Sequence, residues 1–485
     1  MANNILVFDV GTTGARTVIY NMQGKELLKF YEEYRIERQP PGISEQDPLI
    51  WWNAIKNTCN QVAKKIDPVD IIGICATFHR VTTTLIDRTG KVLLPAMTWM
   101  DEREVTELKD FQKEAGLRRI ITKLLWIQRN RPEIFKTAYK IVSPDSYIYM
   151  KLCGRIITDP SNAIYGSLNM DTLQWDEKLS EAFQIPLDLW PELSMPGETI
   201  GDLSGEAAEE LGLKKGLPII AGGGDQQCSA LGLGVTDIGQ AKVTTGTGTF
   251  VDMVVEHPIP PMGDFPIFSL PHVVKNKWVI EGTMPGTGTA LKWFRDNFSQ
   301  LQTKECEEQN VNIYDLLMAE AEKVPPGSEG LLFIPLYIFK KATIYGLGFG
   351  HTRGHFIRAL MESAALSAQM YLGLLEGMAK QKAQELRVDG GAMNSDLWSQ
   401  IYADVIKKPI LVAENKDGAA LGAAILGFCG CRLYSKPEYA IKKMVRFTTV
   451  KNPNNDNAKT YKKLVSLFMP ALLDVLNKKR ITGTL

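Results

Sequence analysis

The sequence predicts an α/β protein made of two similar halves, and three observations carry that expectation. Apolar β-rich runs alternate with helical patterns along the chain. A strand, a Gly/Thr turn and a second strand open the chain at residues 5–20 and recur at residues 241–255. At 485 residues, with 45% hydrophobic and 23% charged side chains, there is room for two substantial cores. A domain boundary is therefore expected near residue 232, dividing the chain into 1–232 and 233–485.

The elements follow in order. Ile5 to Val10 is a continuous apolar run that reads as a buried strand, followed by the turn Gly11-Thr12-Thr13-Gly14 and a second strand from Arg16 to Tyr20. Asn21-Met22-Gln23-Gly24 turns the chain into a third strand, Lys25 to Phe30. Trp51 to Lys65 has helical spacing, and Ile71 to Ala76 and Leu85 to Asp87 read as strands. After a mixed stretch to about Leu211, the buried strand Ile219-Ile220-Ala221 leads into Gly222-Gly223-Gly224-Asp225 and a helix to Leu233. Ala241 to Thr245, Gly246-Thr247-Gly248 and Thr249 to Val255 then repeat the opening. A long helix over Phe356 to Met378, a strand at Leu386-Arg387-Val388 and a helix from Ser395 complete the pattern.

Composition narrows the function class. Lys plus Arg and Asp plus Glu are 55 each, so nothing marks a nucleic-acid or membrane-surface partner. The start shows no basic region with a long apolar stretch, and Ala419 to Phe428 is too short to span a bilayer; a cytoplasmic protein is expected. Seven cysteines without zinc or redox spacing read as reduced, mostly buried thiols. His351 and His355 have metal-ligand spacing but no third ligand, and a helix start is the simpler account.

Four blocks carry candidate chemistry. Asp9-Val10-Gly11-Thr12-Thr13-Gly14 combines glycines that let backbone N–H groups approach an anion, hydroxyl donors and a carboxylate able to hold Mg²⁺, with Arg16 two residues on. Thr244 to Thr249 offers the same chemistry from the second half, and the pair would grip a nucleotide's phosphates from opposite sides of a cleft. A plain hairpin turn accounts for either block taken alone. Asp225, after three glycines, can accept a hydroxyl proton during in-line attack on a γ-phosphate, or simply cap the next helix. Asp389-Gly390-Gly391-Ala392-Met393-Asn394 leaves room for a flat base or ribose, with a tight strand-to-helix connection as the alternative.

Taken in order, these motifs resemble the FGGY family of carbohydrate kinases over nearly the whole chain. The resemblance also rests on Glu45-Gln46-Asp47-Pro48 before Trp51-Trp52, Trp99-Met100-Asp101-Glu102-Arg103, Lys123-Leu124-Leu125-Trp126, Asp159-Pro160-Ser161-Asn162, Ala342 to Leu347 and Ala420-Leu421-Gly422-Ala423-Ala424. It implies two ribonuclease-H-like domains of the actin-like ATPase fold, closing a central cleft on ATP, Mg²⁺ and a sugar. It further implies Asp225 as general base and Asp9, Thr12, Thr13 and Arg16 in the first phosphate loop, with Asp9 toward the metal. Thr245, Gly246, Thr247 and Gly248 match the second loop, and Gly390, Gly391 and Asn394 the adenosine loop.

Within that family the residues are mixed. The run Gly73 to His79 aligns with xylulokinases and gluconokinases, Arg80 and the longer stretch to Asp87 resemble autoinducer kinases, and Asp225-Gln226-Gln227 resembles glycerol kinase. The expected substrate contacts are His79, Arg80, Asp101 and Gln226, and the expected reaction phosphorylates a hydroxyl of a pentulose such as xylulose. Glycerol or another polyol, or an autoinducer precursor, is the alternative acceptor. An actin-like ATPase or a sugar-binding module without transfer is the alternative of another class. The chain departs from the family between Pro335 and Ala342, where the usual E-R-x-P-x-W-D-P segment is lacking. Oligomeric state is not legible, and a homodimer is compatible with the sequence.

Overall fold

The computed structural model describes residues 3–39, 42–104, 117–246, 248–260, 266–336 and 341–482. The first sheet contains β1 (Asn4–Val10), β2 (Gly14–Asn21), β3 (Glu26–Glu33), β4 (Ile71–Phe78), β5 (Thr199–Asp202) and β6 (Pro218–Gly224), in the order β5-β6-β4-β1-β2-β3. β1, β2 and β3 form an antiparallel meander, and β4 and β6 run parallel to β1. Every residue of β1 is buried, which is why its apolar run is continuous and not alternating. Helix α1 (Pro48–Ala63) covers this sheet with Trp51, Ile55, Cys59 and Val62, and starts where the Asp47 carboxylate accepts from the Leu49 N–H.

The second sheet contains β7 (Ala241–Thr245), β8 (Thr249–Val255), β9 (Ile267–Pro271), β10 (Trp278–Met284), β11 (Leu386–Asp389), β12 (Ile410–Ala413) and β13 (Phe447–Lys451), in the order β9-β10-β8-β7-β11-β12-β13. β7, β8 and β10 form the meander, with β11 and β12 parallel to β7. Without the edge strands β5, β9 and β13, the two sheets share one strand order. The echo between residues 5–20 and 241–255 is thus a repeat of topology.

Four further helices place the site: α2 (Asp225–Gly232), α3 (Arg353–Ala379), α4 (Asp396–Ile406) and α5 (Gly418–Gly430). α2 and α5 cross at contact distance. A Cβ on Gly422 would lie 1.9 Å from the Cys228 carbonyl oxygen, and one on Gly232 would lie 2.0 Å from that of Gly418. Beyond the crossing α5 serves the other half, while α2 packs Cys228 and Leu231 with the first sheet. α5 buries Ala423, Ala424, Ile425 and Phe428 with Ile5, Val7, Cys75 and Ile220 of the first sheet, while Ala230 of α2, with Leu233 and Val235 beyond its end, joins Val254, Leu270 and Val279 of the second.

Most expected elements are present with longer boundaries. β6 runs on through Gly222-Gly223-Gly224, because those glycines let it press against β4: a Cβ on Gly222 would lie 1.6 Å from the Ala76 carbonyl oxygen. The short strand at Thr84–Ile86 lies outside both main sheets and pairs with Lys140–Val142. His351 precedes the Thr352 cap of α3 and His355 lies in its first turn, where His355 Nδ1 accepts from the Thr352 N–H at 3.1 Å. Leu332–Leu336 pairs antiparallel with Lys341–Tyr345, and the departure expected between Pro335 and Ala342 falls largely on residues 337–340, which lie outside the described residues. Among the described residues all seven cysteines are free, and no helix is long and apolar enough to cross a membrane.

Candidate active site at the strand ends

The two sheets bring their candidate blocks to matching strand ends. Asp225 follows β6 and is the first residue of α2, with Gly224 in the cap position, so the carboxylate does not cap the helix. Its Oδ1 accepts from the Gln226 N–H at 2.8 Å and lies 3.2 Å from Arg80 Nε. Oδ2 has no protein partner among the described residues, and the side chain is 32% exposed. One oxygen is thus fixed and the other is presented. The preceding backbone is fixed as well: the Gly224 N–H donates to Ser161 Oγ at 2.8 Å, and Ser161 donates in turn to the Asp159 carboxylate. Asp159-Pro160-Ser161-Asn162 therefore acts as a brace under Asp225.

Asp9 ends β1, two strands away in the same sheet. The Gly11–Gly14 segment is a hairpin turn, closed by the Gly11 N–H donating to the Gly14 carbonyl at 2.9 Å. Thr12 and Thr13 sit on it partly or fully exposed. Thr12 is held from two sides, its carbonyl accepting from Gln46 Nε2 at 2.7 Å and its hydroxyl from Trp99 Nε1 at 2.9 Å. Arg16 Nε pairs with Asp9 Oδ2 at 2.9 Å, and its guanidinium also binds Asp417, which takes Lys29 as well at 2.9 Å. Burial raises Asp9 to about 6 despite Arg16. A buried acid that is costly to ionise, at a turn lined with hydroxyls and N–H groups, fits Mg²⁺, which takes one or two carboxylates and completes its shell with water and phosphate.

The second turn mirrors the first. The Gly246 N–H donates to the Gly248 carbonyl at 3.0 Å, Gly246 is exposed, and Thr247 lies outside the described residues. Thr245 is buried, with its hydroxyl 2.6 Å from that of Tyr402 in α4. Gly390 follows β11 at φ +92°, where an added Cβ would lie 2.4 Å from the Thr245 carbonyl oxygen. The Gly390 loop and the second turn are therefore packed backbone to backbone. Gly391 and Asn394 are exposed on the same loop.

The expected substrate contacts are placed unevenly. His79 is buried beside Trp51, with ring centroids 5.7 Å apart; Nδ1 is 3.0 Å from the Val10 carbonyl oxygen and Nε2 has no partner. Arg80 is spent on protein groups: Asp225, the Tyr165 hydroxyl at 2.9 Å and Glu281 of β10 at 2.9 Å. Asp101 has no exposed surface; its oxygens accept from the Ser44 and Arg103 N–H groups and pair with the Arg103 guanidinium at 2.8 Å. Gln226 Oε1 accepts from Lys242 Nζ at 2.9 Å.

Three residues were not singled out in the sequence. Lys242 in β7 joins Asp252 at 3.0 Å, Gln226 and Thr244, and Thr244 donates to Asp389, tying the residue after Asp225 to the end of β11. Glu281 holds Arg80, and Asp417 holds Arg16. Asp417 stands in the cap position of α5 after β12, without capping it through its side chain, where Asp225 opens α2 after β6, so the two acids occupy equivalent junctions.

Comparison with known proteins matches residues 4–232 to the N-terminal domain, and residues 241–431 to the C-terminal domain, of the FGGY family of carbohydrate kinases. A xylulose kinase of Bacillus subtilis is 26% identical, covering 96% of this chain and 95% of its own. An autoinducer-2 kinase of Salmonella paratyphi B is 29% identical, covering 94% and 92%. The crystal structure of a xylulose kinase from Rhodospirillum rubrum superimposes with a TM-score of 0.84 at 26% identity, covering 98% of this chain and 99% of that one.

Proposed function

The chain belongs to the FGGY family of carbohydrate kinases, with the actin-like ATPase fold, and on that premise we propose that it transfers the γ-phosphoryl group of ATP to a hydroxyl of a pentulose such as xylulose. The observation that carries the reading is Asp225: its Oδ1 is pinned and its Oδ2 is presented, it follows a strand two away from the one that leads into the first Gly/Thr turn, and Lys242 ties its neighbour Gln226 to Thr244 of the second. Oδ2 accepts the acceptor's hydroxyl proton as that oxygen attacks phosphorus in line. Thr12, Thr13 and Arg16 bind phosphate from one side and Thr245, Gly246, Thr247 and Gly248 from the other. Gly390, Gly391 and Asn394 hold the adenosine. Asp9 holds Mg²⁺, which neutralises phosphate charge when bound. Nε2 of His79, buried without a protein partner, is the group with hydrogen-bonding capacity to spare for a sugar hydroxyl. Arg80, Asp101 and Gln226 reach the sugar only by sharing partners they already have. In this reading residues 1–232 supply the sugar side, first turn and base, and residues 233–485 the nucleotide side.

The test is ADP release with and without xylulose, ribulose, glycerol, erythritol, gluconate and an autoinducer precursor. Turnover should depend on the acceptor, and Asp225→Ala should keep the fold and nucleotide binding while losing transfer by a factor on the order of 10² to 10⁴. Acceptor-independent hydrolysis would instead support the ATPase reading, and parental transfer by Asp225→Ala would remove the base assignment.

A further inference from the structure

Arg80 joins two carboxylates from opposite halves of the molecule. Its Nε is 3.2 Å from Oδ1 of Asp225, and one terminal nitrogen donates to the Tyr165 hydroxyl at 2.9 Å. The other lies 3.0 Å from Oε1 and 2.9 Å from Oε2 of Glu281. Glu281 sits in the middle of β10, 4% exposed and directly opposite Asp252 in β8. Two acids facing each other in a buried ladder repel unless each has its own cation. Lys242 serves Asp252 at 3.0 Å, which leaves Arg80 for Glu281.

Such pairs are a poor route to stability, because apolar residues of similar volume do as well or better in their place. What this one achieves is geometric. A guanidinium is a planar fork that can hold two carboxylates in a fixed relation, which a lysine ammonium cannot. We propose that Glu281 is a positioning residue for phosphoryl transfer: by fixing Arg80 from the second sheet, it keeps Oδ1 of Asp225 turned aside and Oδ2 turned toward the acceptor hydroxyl. The inference rests on the reading of Asp225 as the base. It also makes the alignment of that base depend on the two sheets holding their relative places, since Glu281 and Asp225 belong to different halves.

The experiment uses the full chain with the best acceptor of the panel. E281Q keeps the shape of the side chain and removes its charge. Its kcat is expected to fall about 10- to 100-fold, the scale of loss for a reacting group misplaced by about 1 Å, with KM for ATP nearly unchanged. In an R80Q background the same change should add less than about twofold, because a residue acting through Arg80 has nothing left to act on. R80K should not restore kcat. Should E281Q alone fail to fold, the R80Q/E281Q pair strands no charge and carries the test with the same expected loss.

Parental kcat per folded molecule in E281Q or in the pair, even with a lowered melting temperature, would mean that Glu281 is only structural. An E281Q penalty undiminished in the R80Q background would show that it acts by another route. The two assignments separate cleanly. An inactive D225N beside a fully active E281Q overturns the positioning role alone, whereas a D225N with parental kcat overturns the base and this inference with it.

Discussion

Asp145 lies in the first turn of the helix Pro144–Cys153, where its Oδ2 accepts from Thr158 Oγ1 at 2.6 Å and its Oδ1 has no partner. Burial, reinforced by nearby Asp159, raises this acid from 3.8 to about 7. The folded chain therefore keeps the proton over a range in which the unfolded chain has released it. The stability tied to that proton is in place below about pH 4 and is lost as pH rises through about 7. D145N should consequently be more stable than the parent at pH 8, by up to about 4 kcal/mol, and no more stable at pH 4. Thermal melts at the two pH values check this, and an equal difference at both would show that packing and not ionisation separates the proteins. The residues whose placement was legible in sequence were those with local surroundings: Asp9, Asp225 and Gly390 each sit within a few residues of the turn or strand end that positions them. Glu281 and Asp417 were not legible as partners, since Arg80 and Arg16 are 201 and 401 residues away. The available signal was a charge inside an apolar strand, as in Trp278–Met284, because a buried charge requires a partner somewhere.

The crossing of α2 and α5 is set by backbone touching backbone. No side chain can yield at Gly422, so G422A has to push the helices apart, and a cost of about 1–3 kcal/mol is expected. Gly373 is the control: it lies exposed in α3 with nothing within 4 Å of an added Cβ, and G373A should stabilise by about 0.5–1 kcal/mol. Denaturant midpoints of the two variants are the measurement, and similar shifts in both would remove the crossing as a rigid contact. The same chemistry explains where the element reading stopped short. Glycines ordinarily punctuate a strand, so Ile219-Ile220-Ala221 looked complete, yet β6 needs Gly222 to Gly224 to run against the Ala76 backbone. Both Gly/Thr blocks are hairpin turns, and that geometry is compatible with phosphate binding: a turn that points N–H groups outward serves either purpose. Sequence alone could not reveal that α5 covers the first sheet, because a helix's apolar face names no partner.

The first half of the molecule is completed by a helix that the chain delivers to it from the second half. The face of the first sheet carrying Ile5, Val7, Cys75 and Ile220 is covered by Ala423, Ala424 and Ile425 of α5. The chain should therefore unfold in one calorimetric transition, with a van't Hoff enthalpy close to the calorimetric one. A fragment of residues 1–232 should lack a cooperative transition, and a sharp native-like melt from it would contradict the shared core. The duplicated strand order was visible from the two turn motifs, but the sharing of cores was not. That sharing has a consequence during synthesis. The strands of the first sheet leave the ribosome roughly two hundred residues before α5 does, an interval of about 10–40 s at ordinary elongation rates. Through that interval the nascent chain presents an uncovered apolar face, and it is then that a chaperone or a second nascent copy can occupy the place reserved for α5.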